Sequence, residues 1–311
     1  MASSVCVKVP ATTANIGPGF DCLGAALTLQ NQFDFTGVEN QAAKPTVTIQ
    51  VQGPEADQVS TGPDNLVYTA FLKVFEHLGQ PPPSVHIRVT LGVPLSRGLG
   101  SSATAIVGGL CGANALAGYP LTRQELLTLA IAIEGHPDNV APALLGSCQL
   151  AVQRDTGGHT LLEIPWAENI VPVVAIPNFE LSTEAARSVL PTSCSYPDAI
   201  FNASHLALLV QALRSGQVEE LQSALADRLH QPYRRSLIAH YEVVRNAALH
   251  AGAYGLVISG AGPTVLALCS PATADRVSMA MKQSWSEAQI EAIAQVLAID
   301  IEGTSIAETD Y

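Results

Sequence analysis

The chain has 311 residues, 48% hydrophobic and 14% charged, with 15 Lys and Arg against 27 Asp and Glu for a formal net charge of -12. That length suits two domains of roughly 100–200 residues each, and the composition excludes a disordered chain. No basic run could follow a phosphate backbone and no apolar run approaches the ~20 residues of a bilayer span, so neither nucleic acid nor membrane is expected as a partner.

Met1–Pro10 carries one Lys and no apolar h-region, so no signal peptide is expected and a cytoplasmic location follows. Val5–Val9 alternates as a strand, Ala25–Phe35 reads as a second after a glycine-rich turn, and Thr46–Val51 alternates strictly as a third. Asn65 precedes a helix over Leu66–Leu78 that Gly79 ends. Val85–Leu91 is another strand. Ser101–Leu116, rich in Ala, Gly and Leu, suits a helix packed closely on a sheet. Thr122 and Glu125 stand at capping-box spacing before a helix that runs through Ile133. A hairpin over Ala151–Glu168 could join either half.

Val171–Pro177 reads as a strand, followed by helices at Asp198–Ser215, Val218–Leu229 and Ser236–Ala251. Tyr254–Cys269 reads as two strands joined by Ser259-Gly-Ala-Gly-Pro263, and a helix near Ala272–Gln295 with a strand near Val296–Ile301 closes the chain. Strands and helices interleave without regular β-α-β order, so an α+β fold is expected, with one domain over residues 1–168 and a second over 169–311. The six cysteines form no C-x-x-C pair and no zinc spacing, which points to reduced core thiols.

Val93-Pro-Leu-Ser-Arg-Gly-Leu-Gly-Ser-Ser-Ala-Thr104 lies between a strand and a helix. Gly98 and Gly100 allow a sharp turn and the approach of an anion, while Ser101 and Ser102 fall in the first helical turn, where free N–H groups and the dipole favour phosphate. The pattern is neither the Gly-Lys-Ser/Thr P-loop nor the dinucleotide fingerprint. A tight turn with serine caps is the plain alternative. Glu134, at the start of the polar cluster Glu134-Gly-His-Pro-Asp-Asn139, is the candidate acid for magnesium.

Pro94-x-x-x-Gly-Leu-Gly-Ser-Ser-Ala103 resembles the phosphate loop of the GHMP kinases, and two further segments match that superfamily in order. Pro10-Ala-Thr-Thr-Ala-Asn-Ile-Gly-Pro-Gly-Phe-Asp-Cys-Leu-Gly24 is similar to the first motif in its homoserine-kinase form, and Ser259-Gly-Ala-Gly-Pro-Thr264 to the third. The resemblance covers nearly the whole chain. It implies the two-domain GHMP kinase fold, with an N-terminal ribosomal-protein-S5-like nucleotide-binding domain and a C-terminal ferredoxin-like domain. It also implies an ATP- and Mg2+-dependent kinase acting on the hydroxyl of L-homoserine in threonine biosynthesis. Mevalonate-type members carry a lysine in the first motif, where this chain has Pro10-Ala-Thr-Thr-Ala-Asn15.

By the same resemblance, nucleotide contacts fall on Asn65, which doubles as a helix N-cap, and on Pro94, Leu95, Ser96, Arg97, Gly98, Leu99, Gly100, Ser101, Ser102, Ala103 and Thr104. Ser101 and Glu134 are the implied metal ligands. His136, Asp138 and Asn139 match the acceptor-site signature; Asn139 is expected to orient the hydroxyl, and Asp138 either supports the site or serves as general base. Asp21 can pair an ammonium group, and Arg187 and Arg234 can clamp a carboxylate. Only one of Arg234 and Arg235 can face a given site, and the motif favours Arg234. Asn15 and Thr183 are expected as further polar contacts, and Gly260 and Gly262 as a turn that lets substrate or loop approach. The assembly stands open between monomer and homodimer.

Overall fold

The computed structural model describes residues 4–38 and 45–309; Met1–Ser3, the start of the segment read as lacking a signal peptide, lie outside the described residues. The first half runs β1 (Ser4–Ala14), β2 (Leu23–Val38), β3 (Val47–Gln52), α1 (Leu66–Leu78), β4 (Ser84–Thr90), α2 (Ser101–Leu116), α3 (Arg123–Glu134), α4 (Pro137–Leu145), β5 (Cys148–Gln153) and β6 (His159–Ile164). The second half continues with β7 (Val171–Pro177), α5 (Thr183–Ser188), α6 (Tyr196–Ser215), α7 (Val218–Ala224) and α8 (Gln231–Arg234). It ends with α9 (Tyr241–His250), β8 (Ala253–Ile258), β9 (Val265–Cys269), α10 (Ala274–Glu287), β10 (Ala292–Val296) and β11 (Ser305–Thr309). The fold is α+β.

One sheet has the order β11-β1-β2-β4-β3, with β5 on the far end of β2 and β6 on β5; the other is β10-β7-β9-β8. Only the β3–β4 pairing is parallel. The hairpin left between the halves therefore belongs to the first sheet. In β1 the inward Val5, Val7 and Val9 alternate with the exposed Lys8, as a one-sided strand should. Past Pro10 the strand continues to Ala14, buried on every residue, and its register with β2 slips at Pro10/Ala11. Pro10 brings no N–H to the ladder, so the irregularity sits where the pairing is weakest.

α2 packs as closely as its composition suggests: a Cβ on Gly108 would come within 2.4 Å of Phe33 and one on Gly112 within 2.3 Å of Phe35. The capping box of Thr122 and Glu125 is present at the head of α3. Between the two sheets lies a shared core in which Ile16, Leu23 and Leu99 meet Val174, Leu209 and Leu266. This common core holds the two halves as one body and fixes the cleft between them.

Several expectations differ from the structure. α4 occupies Pro137–Leu145, a helix not expected from the sequence, and takes in the end of the polar cluster Glu134–Asn139; Pro137 sits at the first helical position, where its missing N–H is harmless. Two second-half helices are shorter than their periodicity suggested, α7 ending at Ala224 and α9 starting at Tyr241, while α6 starts two residues earlier than expected, at Tyr196. α10 stops at Glu287, Gln289 turns left-handed at φ 60, and Ala292–Val296 becomes the edge strand β10. Val296, the first residue of the strand expected at Val296–Ile301, ends β10; the rest is a crossing segment with one isolated bridge to β2, Leu27 to Ile299, and the last described strand is β11 against β1 in the first sheet. All six cysteines are free, but only Cys111, Cys148 and Cys269 are buried; Cys194 is exposed.

Candidate active site

The loop Pro94–Gly100 leaves β4 and enters α2 through three left-handed residues, Ser96, Gly98 and Gly100. Its carbonyls turn outward to the rest of the protein. Leu99 O accepts from Thr12 N at 3.0 Å, Gly98 O from Ser259 Oγ at 2.7 Å, Arg97 O from Thr264 N at 3.2 Å and Ser96 O from Leu181 N at 3.2 Å. Gly100 caps α2 without any side-chain hydrogen bond, so the first amides of the helix stay open toward the cleft. A Cβ on Gly98 would lie 2.3 Å from Ser259 O, so the third glycine-rich turn is braced directly against the loop.

A cavity of about 410 Å³ opens beside this loop. It brings together Asn15, Asp21, Asn65, Leu95, Ser96, Arg97, Gly98, Gly100, Ser101, Ser102, Glu134, His136, Asp138, Asn139, Thr183, Arg187, Arg234 and Gly260. Pro94, Leu99, Ala103, Thr104 and Gly262 do not line it. Leu99 and Ala103 are core residues, and the Thr104 hydroxyl bonds Ser101 O and Asn31.

At one end, Arg187 and Asp21 form a two-pronged pair, Nη2–Oδ1 at 2.7 Å and Nη1–Oδ2 at 3.0 Å. The pair holds the guanidinium pKa above its usual value, against partial burial. Arg234 is 2% exposed; its Nε and Nη1 donate to Ala186 O and Gly260 O, and it makes no ion pair with an acid among the described residues. Burial, and then the charge of Arg187, push its pKa down. Both guanidiniums stand near the Phe20 ring, at 5.7 and 5.0 Å from its centroid. A buried, acid-free guanidinium bordering a cavity is an anion receptor. The carboxylate–guanidinium pair next to it offers both signs of charge at once. Arg235 points elsewhere, to Glu242.

At the other end, Glu134 accepts from Ser102 Oγ at 2.9 Å, and burial pushes its carboxyl pKa up. The hydroxyl reaching the acid is thus that of Ser102, one residue beyond the Ser101 expected to share the metal. Asp138, 2% exposed, holds His136 Nδ1 at 2.6 Å, a contact that raises the imidazole pKa. Asn139 Oδ1 accepts from Thr12 Oγ1 at 2.8 Å, which leaves its amide N–H groups for the cavity.

Three residues expected as ligand contacts line the cavity and also make structural hydrogen bonds. Asn15 spends its amide on Gly260 O and on Asp21 N. Asn65 accepts from Val67 N and donates to Ser60 O, as the N-cap of α1. Arg97 is buried and ties Leu95 O, Pro177 O, Asn178 O, Glu55 and Glu180, so it bolts the loop to the end of β7. Sequence reasoning missed Asn31, whose Oδ1 accepts from Gly92 N and Val93 N while its Nδ2 reaches Thr104. A lone amide at an inward position of an apolar strand was the available signal.

The GHMP kinases N terminal domain model matches residues 65–147, and the GHMP kinases C terminal model matches residues 209–287. The homoserine kinase of Thermosynechococcus vestitus is 59% identical over 302 residues, covering 97% of this chain and 98% of the relative. The chain belongs to the homoserine kinase family of GHMP kinases. The homoserine kinase of Crocosphaera subtropica is 57% identical, with 98% of each chain covered. Among solved structures, a homoserine kinase from Cytophaga hutchinsonii superposes with a TM-score of 0.88 at 29% identity, covering 98% of this chain and 97% of that one. Membership makes the chain a kinase that phosphorylates an alcohol. The two segments that resemble the family's phosphate loop and glycine-rich third motif are the turns braced together at Gly98 and Ser259.

Proposed function

We propose that the protein transfers the γ-phosphoryl group of ATP to the hydroxyl of L-homoserine, giving O-phospho-L-homoserine and ADP for threonine synthesis. The observation that carries this reading is the charge set at one end of the cleft: Asp21, Arg187 and an Arg234 without an acid partner. Homoserine is a zwitterion with one hydroxyl. Its carboxylate fits Arg234 and Arg187, and its ammonium group fits Asp21, each replacing part of the Asp21–Arg187 pair. The names of the relatives support the same substrate.

In this reading the open amides at the head of α2 hold the nucleotide phosphates. Asn139, oriented by Thr12, directs its N–H groups at the acceptor oxygen. Asp138 is spent on His136 and positions it, so the acceptor proton passes to the transferring phosphoryl group rather than to a protein base. Glu134 and Ser102 present a carboxylate and a hydroxyl oxygen 2.9 Å apart, hard donors of the kind magnesium takes. Burial raises the Glu134 pKa, and the Ser102 hydroxyl and the charges of His136 and Arg187 offset this only in part. When bound there, magnesium supplies neutralisation of the triphosphate charge.

Asn65 is proposed to border the adenine end. The division into two domains near residue 168 is supported by the change of sheet between β6 and β7, with β11 returning across it. Among the described residues no helix is long and apolar enough to cross a membrane. The net charge of -12 supports a cytoplasmic enzyme that works without nucleic acid or membrane, as monomer or homodimer. A coupled ADP-release assay with homoserine, threonine, serine, mevalonate and galactose side by side tests the assignment. Turnover with homoserine at least about 100-fold more efficient than with mevalonate is expected, and equal efficiency would sink it.

A further inference from the structure

On the far side of α8 from the active site lies a second cavity of about 320 Å³. Its polar lining is rich in donors. Tyr241 is 6% exposed, and its hydroxyl makes no hydrogen bond among the described residues. Burial pushes that phenol up to about 12, so it keeps its proton. Arg245 and, with opposite sign, Glu242 lie close enough to act on Tyr241 electrostatically; Glu242 is paired with Arg235, whereas Arg245 pairs with no acid among the described residues. Gln231 Oε1 accepts from Ile258 N, which leaves its Nε2 as a donor.

The one acid in the lining, Asp227, is already saturated: its oxygens accept from Asn202 Nδ2 and from the amides of Leu229, His230 and Gln231. The other wall is apolar, formed by Leu225, Leu249 and Leu256. The Tyr241 hydroxyl, without a hydrogen-bond partner among the described residues, and the half-buried, unpaired Arg245 guanidinium, beside an Asp227 whose oxygens are already committed to donors, stand out in a protein of net charge -12. They lack an acceptor that would satisfy both.

We propose that this cavity is a second binding site, for a small organic anion whose carboxylate meets Arg245 and Tyr241 and whose apolar body rests on Leu225, Leu249 and Leu256. The site sits one residue layer from the catalytic cleft. Gln231 begins the same four-residue helix that ends in Arg234, and its partner Ile258 precedes the Ser259–Thr264 turn that contacts the phosphate loop. Occupancy therefore bears on the placement of Arg234. The proposal does not depend on the identity of the phosphoryl acceptor.

The test is isothermal titration of the full-length protein with phenylacetate, its neutral isostere phenylacetamide, and inorganic phosphate, each with the cleft filled by ADP and homoserine. Phenylacetate should bind and phenylacetamide should bind at least about tenfold more weakly, the difference expected for charge-assisted hydrogen bonds. Phosphate binding as tightly as phenylacetate would show a plain anion site and overturn the assignment of an organic ligand. Arg245→Gln should weaken phenylacetate at least about tenfold, and Tyr241→Phe, which keeps the packing, by about threefold or more. Phenylacetate should also shift the homoserine KM of the wild type without abolishing turnover. No binding below about 10 mM, displacement by homoserine, or binding indifferent to both variants would overturn the proposal. Should Arg245→Gln fail to fold by circular dichroism, Tyr241→Phe and the isostere decide the matter alone.

Discussion

Gly79 and Gly100 share nearly one backbone conformation, φ 65 and ψ 28 against φ 68 and ψ 31, but not one environment. A Cβ on Gly79 would meet nothing within 4 Å, whereas one on Gly100 would lie 2.0 Å from Thr12 Oγ1 and 3.2 Å from Asn139 Oδ1. Gly79→Ala therefore bears only left-handed strain, about 1–2 kcal/mol. Gly100→Ala bears the same strain and must also drive the Thr12 hydroxyl off Asn139, stranding a buried polar group for about a further 1–3 kcal/mol. Urea unfolding of the two variants should place Gly100→Ala below Gly79→Ala by that difference. In an ADP-release assay Gly79→Ala should turn over as wild type, while Gly100→Ala should lose at least about 100-fold in kcat, since the group orienting the acceptor has moved. Equal stability and equal turnover of the two variants would refute the reasoning.

Burial raises the Glu134 pKa, so the folded state binds the extra proton and stability falls as pH rises from the ordinary carboxylate range through the raised value. Glu134→Gln should thus stabilise the protein without nucleotide at neutral pH, seen by thermal melts at several pH values, yet slow turnover, with partial rescue by excess magnesium. Arg97→Gln should lower stability by about 3 kcal/mol or more in urea, because it leaves Glu55 and three carbonyls without their shared donor. Asp138→Asn should shift the His136 titration downward by NMR and keep measurable turnover. A loss of about 10³-fold in kcat with normal binding would instead make Asp138 the base.

Much of the fold was legible because local patterns set it. Val5, Val7 and Val9 alternate, Thr122 and Glu125 cap, and Gly79 stops its helix, each within a few residues of its cause. The misreadings lie where distant contacts decide. Pro137-Asp-Asn looks like a turn in isolation, but becomes the first turn of α4 once Asp138 can hold the histidine before it. Ile290–Val296 is amphipathic enough for a helix, yet the free edge of β7 recruits it as a strand. The candidate site follows the same rule. The loop glycines and the acidic and basic residues were readable as types at characteristic positions. That Arg187 would lie on Asp21, 166 residues away, and that Arg97 would brace the end of β7, depend on the closed fold.

In the proposed function, Asp21 and the two arginines recognise both charges of a zwitterion. Steady-state phosphorylation of L-homoserine, 4-hydroxybutyrate and 3-amino-1-propanol tests it directly, since the last two each lack one charged group but keep the hydroxyl. Both should fall at least about 100-fold below homoserine in kcat/KM, because each leaves a charged side chain without its partner. Efficiency with either compound comparable to that with homoserine would contradict the claim.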